Sequence, residues 1–268
     1  MSTRETTSRS SATERFYRDS VHGKYYQPRN IESVPGRYRE IIKILSGRPG
    51  IGRCRILEVG SETPVIVRAW SSQLGVSQEN VFCVDVSSPV VELLQDAKFQ
   101  TQQRDVSSEA MPFADGFFDC IIASEVLEHL QDADHAMVEF RRLLGPSGDL
   151  ILTTPNLAAW FNRIQLFFGY QPIFTETGTQ HVFGRGQWVP SARPVGHLQV
   201  YTGRALREFV EYHGFKVIRM KGLALEPRFV PTPALRRLDR FFSGMPSLAS
   251  GLLVHAAPAT SGQAVGPT

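Results

Sequence analysis

The feature that most restricts how this chain can fold is an alternation. Short apolar runs of strand length take turns with stretches of helical period, about five times over. "CRILEVG", "NVFCVDV", a weaker "KFQTQQ", "FFDCIIAS" and "GDLILTTP" are the strand runs. Between them lie "PVIVRAWSSQL", opened by Pro64 where a first helical turn tolerates proline, "PVVELLQDA", capped by Ser87 or Ser88, and the helical "EVLEHL" and "ADHAMVEFRRLLG". Ahead of them all, "RYREIIKIL" puts Tyr38, Ile41, Ile42 and Leu45 on one helical face. Apolar runs joined by helices specify strands buried on both sides, hence a doubly wound α/β sheet with right-handed crossovers. Such sheets bind ligands beyond the carboxyl ends of their strands, near the point where strand order reverses.

Seven strands are expected, mostly parallel, with "KVIRMKGLAL" and "SLASGLLVHA" closing the sheet at an antiparallel edge strand. After the fifth strand, residues 156–200 form an insertion too long for an ordinary connection. It carries Trp160, Phe161, Phe167, Phe168, Tyr170, Phe174, Phe183 and Trp188, and its place on the ligand side makes it the natural lid or substrate wall. At 268 residues and 42% hydrophobic, the chain can bury one sizeable core and is short for two. One domain over 16–256 is therefore expected, between a disordered leader (1–15) and a disordered tail (257–268). The leader has no apolar h-region for secretion, and Glu5 and Glu14 argue against a transit peptide. No apolar run reaches bilayer length, so a cytoplasmic protein without a transmembrane segment is expected. Three scattered cysteines, Cys54, Cys83 and Cys120, read as core thiols in a reducing compartment. The net charge of +3 and the lack of a basic stripe interleaved with aromatics argue against a nucleic-acid partner, and "PALRRLDR" reads as a solvated helix face.

Five stretches in order carry a resemblance: "ILEVG", "FCVDVS", "RDVSSEAMPFADGFFDCIIASEVLEHL", "LLGPSGDLILTTPN" and "GHLQVYTGRALREFVEYHGF". Across about 37–256 they resemble the class I S-adenosylmethionine-dependent methyltransferases, Rossmann-like enzymes, and most closely the type 11 kind acting on glycans and small molecules. The resemblance implies S-adenosyl-L-methionine as cofactor. Gly60, without a side chain, lets the methionine part lie against the backbone. Asp85 at the end of the second strand suits the ribose hydroxyls, with a helix-capping role as the alternative. Asp105 and the N–H of Val106 are implied for the adenine, Asp105 being otherwise a turn residue. Glu58, Ser61, Val86 and Ser124 complete the expected cofactor set. In the family the first turn reads roughly G-x-G-x-G, whereas here Glu62 and Pro64 follow Gly60. A sulfonium cofactor carries no phosphate to cradle, so binding is expected to survive the change. A lapsed fold serving as a binding module is the alternative.

"SEVLEHL" offers Glu125, Glu128 and His129 at helical spacing on one face, and "GHLQVYT" adds His197 on the ligand side. This resembles the metal-dependent small-RNA 3′-terminal 2′-O-methyltransferases, which implies Mg, Mn or Zn on Glu125, Glu128, His129 and His197. Similar stretches occur in ubiquinone-pathway and glycan-cluster methyltransferases. Without a metal, Glu125 and His197 are the catalytic candidates, His197 as general base or else only an anchor for the insertion, and His129 packs under the cofactor. His181 and His213 read as surface residues. With no nucleophilic cysteine and no "NPPY"-like stretch, the expected acceptor is an oxygen of a sugar, glycolipid or other small metabolite. A metal-dependent RNA enzyme is the alternative. No G-x-G-x-x-G is present, which argues against a dinucleotide enzyme.

Overall fold

A computed structural model describes residues 35–61, 63–186 and 194–259. The expectations for Glu62, for Trp188, for the leader 1–15 and for residues 260–268 of the tail lie outside the described residues. Helix α1 (Gly36–Leu45) buries Tyr38, Ile41, Ile42 and Leu45, the face its period specifies. Strand β1 (Ile56–Val59) leads to α2 (Pro64–Leu74), and β2 (Val81–Asp85) to α3 (Ser88–Asp96). β3 (Gln100–Gln103), β4 (Phe118–Ser124), α4 (Ala133–Leu143) and β5 (Leu144–Pro155) follow. Beyond the insertion, which holds α5 (Trp160–Phe167), come α6 (Gly203–Tyr212), β6 (Phe215–Leu223), α7 (Pro233–Ser243) and β7 (Gly251–Pro258).

The seven strands lie in the order β3-β2-β1-β4-β5-β7-β6, the first five of them parallel. β7 runs antiparallel to both of its neighbours, so it sits inside the closing edge and β6 is outermost. β7 also continues through Ala257 and Pro258, past the expected domain end at 256. Because β5 and β6 are each antiparallel to β7, they run the same way. Their carboxyl ends therefore meet the same sheet edge as those of β1, β2 and β4. Strand order reverses between β1 and β4, which places the switch point beside Gly60 and Glu125.

Side chains alternate across each strand, so the sheet has two dry faces. Leu57, Val59, Ile121 and Leu152 pack against Met137, Phe140, Leu206 and Val210 of α4 and α6. Ile56, Cys83, Cys120 and Ile122 pack against Ile41 of α1, Trp70 of α2 and Leu94 of α3. The three cysteines are free and buried, and burial pushes the thiols of Cys83 and Cys120 well up. Glu58 falls by the same alternation on the face of α1 and α2, a carboxylate in an apolar layer. Among the described residues no helix is long and apolar enough to cross a membrane.

Candidate functional site

The turn after β1 is built around Gly60. Its φ is +68°, and a Cβ there would sit 2.5 Å from Val126 Cγ2. The loop after β4 therefore demands glycine here whatever ligand approaches. Thr63 caps α2, its Oγ1 accepting the Ile66 N–H at 3.4 Å, with Pro64 in the first turn as the sequence implies. The side chains of Glu58 and Ser61 hydrogen-bond within the protein. Glu58 is fully buried; Oε1 accepts the Tyr38 hydroxyl and Oε2 accepts Trp70 Nε1–H at 2.5 Å. Ser61 Oγ donates back to the Glu58 carbonyl at 3.4 Å. Burial pushes the Glu58 carboxyl up to about 7, against the two hydrogen bonds and the Arg37 charge.

At the end of β2, Asp85 is half-buried, and the enclosure of its carboxyl pushes it up to about 7. Its Oδ1 accepts the Ser87 N–H at 2.8 Å. The capping role expected of a Ser87 side chain is thus corrected: Ser87 Oγ is buried with no hydrogen-bond partner among the described residues. Val86 is half-buried beside it. Asp105 is buried, and its Oδ1 accepts the Ser107 N–H at 3.0 Å, the turn role the residue type allows. Val106 is buried and its carbonyl accepts His135 Nδ1–H at 3.1 Å. Ser124 Oγ accepts Arg37 Nε–H at 3.1 Å and is 2.9 Å from Thr153 Oγ1.

The stretch after β4 is not the helix its spacing suggests. Glu125 has φ +58°, Val126 follows at φ −121°, and only Leu127–His129 make a 3-10 turn. The cause is the neighbouring strand: the Glu125 N–H donates to the Thr153 carbonyl at 2.9 Å, and its Oε1 accepts Thr153 Oγ1–H at 2.8 Å. Glu125 is therefore held on β5 while the chain bends away. A left-handed non-glycine residue at this edge is the kind of strained position found in working sites.

Glu128, His129 and His197 do come together, each offering one ligand atom within 4.8 Å of the others, without Glu125. Glu128 is fully buried; Oε2 accepts Thr154 Oγ1–H at 3.0 Å, and Oε1 has no partner among the described residues. Burial first, then the Glu125 charge, holds its carboxyl well above the usual range. His129 Nδ1 lies 3.1 Å from the Gly196 carbonyl and His197 Nδ1 2.9 Å from the Phe174 carbonyl. A carbonyl only accepts, so both Nδ1 atoms carry a proton, and in a neutral ring Nε2 is then the acceptor. Burial and the neighbouring His197 push His129 down to about 4, so it is neutral at physiological pH.

The insertion is strapped to this cluster. The N–H groups of Leu198 and Gln199 donate to the Glu128 carbonyl at 2.7 and 3.2 Å. Glu176 accepts the N–H groups of Val195 and Gly196 at 2.6 and 3.0 Å, and so sets the approach of His197. His181 is exposed as expected. His213 is not a surface residue; its side chain is 5% exposed, packed on Phe209 and 3.1 Å from Asp134.

Four contributors escape a reading by motif: Arg37, Thr153, Thr154 and Glu176. The pair "TT" in "LILTTPN" held a signal, since successive strand residues face opposite sides and the two hydroxyls reach two different carboxylates. Arg37 and Glu176 offered none, being local neighbours of nothing in the site.

A family model described as a methyltransferase domain matches residues 24–220. The malonyl-[acyl-carrier protein] O-methyltransferase of Geobacter sulfurreducens is 28% identical over 119 residues, 43% of this chain and 44% of that protein. A ubiquinone/menaquinone biosynthesis C-methyltransferase of Bordetella avium is 28% identical over 109 residues, 39% of this chain and 41% of that protein. The chain thus spans less than half the length of either. The crystal structure of an S-adenosylmethionine-dependent methyltransferase from Mesorhizobium loti superposes with a TM-score of 0.53 at 17% identity, covering 82% of this chain and 97% of that one. That likeness is one of fold.

Proposed function

The chain belongs to the methyltransferase-domain family, and from that premise we propose that it moves a methyl group from S-adenosylmethionine to an oxygen of a sugar, glycolipid or other small metabolite. One observation carries the reading. The switch-point edge that presents Gly60 and Asp85 also receives, from the insertion, an imidazole whose Nδ1–H is held by the Phe174 carbonyl, which in the neutral ring leaves Nε2 as the acceptor.

The residues fit the cofactor. Gly60 adds no side chain at the switch point, and Asp85 is an acceptor for ribose hydroxyls, with Ser87 Oγ, which has no partner among the described residues, two residues on. In this reading the N–H of Val106, next to Asp105, meets the adenine ring. The cofactor supplies an electrophilic methyl group open to in-line displacement. The protein's part is to hold donor and acceptor aligned and to take a proton. His197 is the base in this reading: the Phe174 carbonyl fixes its tautomer and Glu176 fixes its loop. Glu125, held by Thr153, is the carboxylate nearest the end of β4 for orienting the acceptor hydroxyl. By their names the two curated relatives methylate an oxygen and a carbon. An imidazole at this edge favours oxygen here, because a hydroxyl must lose its proton to a base as the methyl arrives.

A divalent ion is a second reading with its own observation, the buried Glu128 Oε1, which has no partner among the described residues, grouped with a ring nitrogen each of His129 and His197. Thr154 and the carbonyls of Gly196 and Phe174 would be its outer support, as metal-bound imidazoles and carboxylates require. Two imidazoles and one carboxylate suit Zn or Mn better than Mg. The ion would supply Lewis acidity and lower the pKa of a bound hydroxyl.

Calorimetric titration with S-adenosylmethionine and S-adenosylhomocysteine, with and without EDTA, tests the reading. Micromolar binding is expected, weakened about tenfold or more by Asp85→Ala as charged hydrogen bonds to the ribose are lost. His197→Ala is expected to keep cofactor affinity and lose about 10²–10⁴-fold in turnover. A fall in unfolding temperature with EDTA, absent in His129→Ala, would support the ion. A folded protein that binds neither compound would leave only a scaffold.

A further inference from the structure

Two helices of this chain are inside out. In α5 the buried residues are Asn162 and Gln165, whereas Ile164, Phe167 and Phe168 just beyond it are 49%, 82% and 64% exposed. In α7 the one buried residue is Asp239, whereas Leu235, Leu238 and Phe241 are exposed. A helix of a globular domain ordinarily does the reverse, with polar residues outward.

The inversion is held in place rather than loose. Asn162 Oδ1 accepts the Ile173 N–H at 2.8 Å, and its amide donates to the Leu157 carbonyl at 3.1 Å. Asp239 Oδ1 accepts Trp160 Nε1–H at 3.2 Å and also the Ser250 hydroxyl, and Oδ2 accepts the Leu225 N–H at 2.7 Å. Trp160 of α5 stacks on Phe242 of α7 with ring centroids 5.4 Å apart, so the two helices form one surface. Both leave the sheet at the carboxyl ends of β5 and β6, the same edge as the candidate site.

The charge on this surface has one sign. α5 contains no acid, and the only acid of α7 is the buried Asp239. Arg163, Arg237 and Arg240 are the exposed charges. At about 100° per residue on α7, Leu235, Leu238, Phe241 and Phe242 make one stripe and the arginines lie beside it. The direction opposite Asp239 falls between Arg237 and Phe241.

We propose that the α5–α7 face docks this protein on a bilayer containing anionic lipids. An exposed apolar stripe flanked by arginines matches the two layers of such a surface, acyl chains below and negative headgroups above. Nothing about a membrane-crossing helix is required, and the attachment is peripheral. The proposal stands or falls apart from the methyl-transfer reading, because its readout is lipid binding.

The test is flotation of the full chain with vesicles of phosphatidylcholine alone and of phosphatidylcholine with phosphatidylglycerol. The protein is expected to float with the anionic vesicles only, and less as salt is raised. Arg237→Glu with Arg240→Glu, and separately Phe167→Ser with Phe241→Ser, are expected to weaken that binding by about tenfold or more, with circular dichroism and unfolding temperature unchanged. All four side chains are exposed, so the fold does not depend on them. Failure of the wild-type chain to float with anionic vesicles overturns the proposal, as does binding that the charge reversals leave intact. A concentration-dependent dimer without lipid, abolished by Phe241→Ser, would give the face to a second copy and overturn it too.

Discussion

Glu58 shows how one residue can carry a family motif and yet act on the fold. Its carboxyl holds Tyr38 of α1 and Trp70 of α2 against β1, so the strand end and two helices share one buried hub. Glu58→Gln is expected to fold, because an amide can accept from Trp70 with its oxygen and donate to the Tyr38 hydroxyl with its nitrogen. Glu58→Ala leaves both donors buried and unpaired, at roughly 1–3 kcal/mol for each. The pH dependence has a definite sign. The carboxyl rises from an ordinary 4.5 to about 7 in the folded protein, so the folded state holds its proton longer than the unfolded one. The stability this contributes is complete below pH 4.5 and is lost as pH rises through about 7. Urea unfolding across that range should therefore favour Glu58→Gln over the wild type progressively with pH. Parallel curves for the two proteins would remove Glu58 as the titrating group.

Among elements, the loop after β4 and the turn after α3 each contain a non-glycine residue in the left-handed region. At Glu125 the conformation is bound up with the site, through Thr153. Lys98, with φ +68° and an exposed side chain, serves only to end α3 and turn into β3. Lys98→Gly relieves a conformation that costs an L-residue roughly 1–2 kcal/mol, offset in part by glycine's extra freedom when unfolded. A net gain of up to about 1 kcal/mol is expected, seen as a rise of about 2–4 °C in unfolding temperature. An unchanged or lower temperature would mean that Lys98 makes a contact worth as much as the strain. The insertion obeys a different logic, with Asn156, Asn162 and Gln165 inside and phenylalanines outside. Its aromatics, read from the sequence as a lid or substrate wall, are in part a surface that faces outward.

At the scale of the whole molecule, the candidate site joins segments far apart in the chain: Arg37 of α1, the ends of β1, β2 and β4, Thr153 and Thr154 of β5, and the insertion's His197. A ligand spanning these strand ends should stabilise the assembly as a unit. S-adenosylhomocysteine at about a hundred times its Kd is expected to add about 2.7 kcal/mol, or roughly 5–10 °C in unfolding temperature. No rise at saturation would separate the ligand from these strand ends. The alternation of apolar runs determined the doubly wound sheet by itself, because strands buried on both faces and joined by helices have few other solutions. Gly60 and Asp85 were legible for the same reason, since position at a strand end is a local property. The helix at "EVLEHL" was not, because i, i+3, i+4 spacing assumes a backbone that hydrogen bonds from β5 forbid. Nor could spacing tell that Glu128, 69 positions before His197, meets it while Glu125 does not, or that Glu58 turns inward to Tyr38 and Trp70. Those facts depend on which strand lies beside which and which face each residue takes, and only the packed sheet decides both.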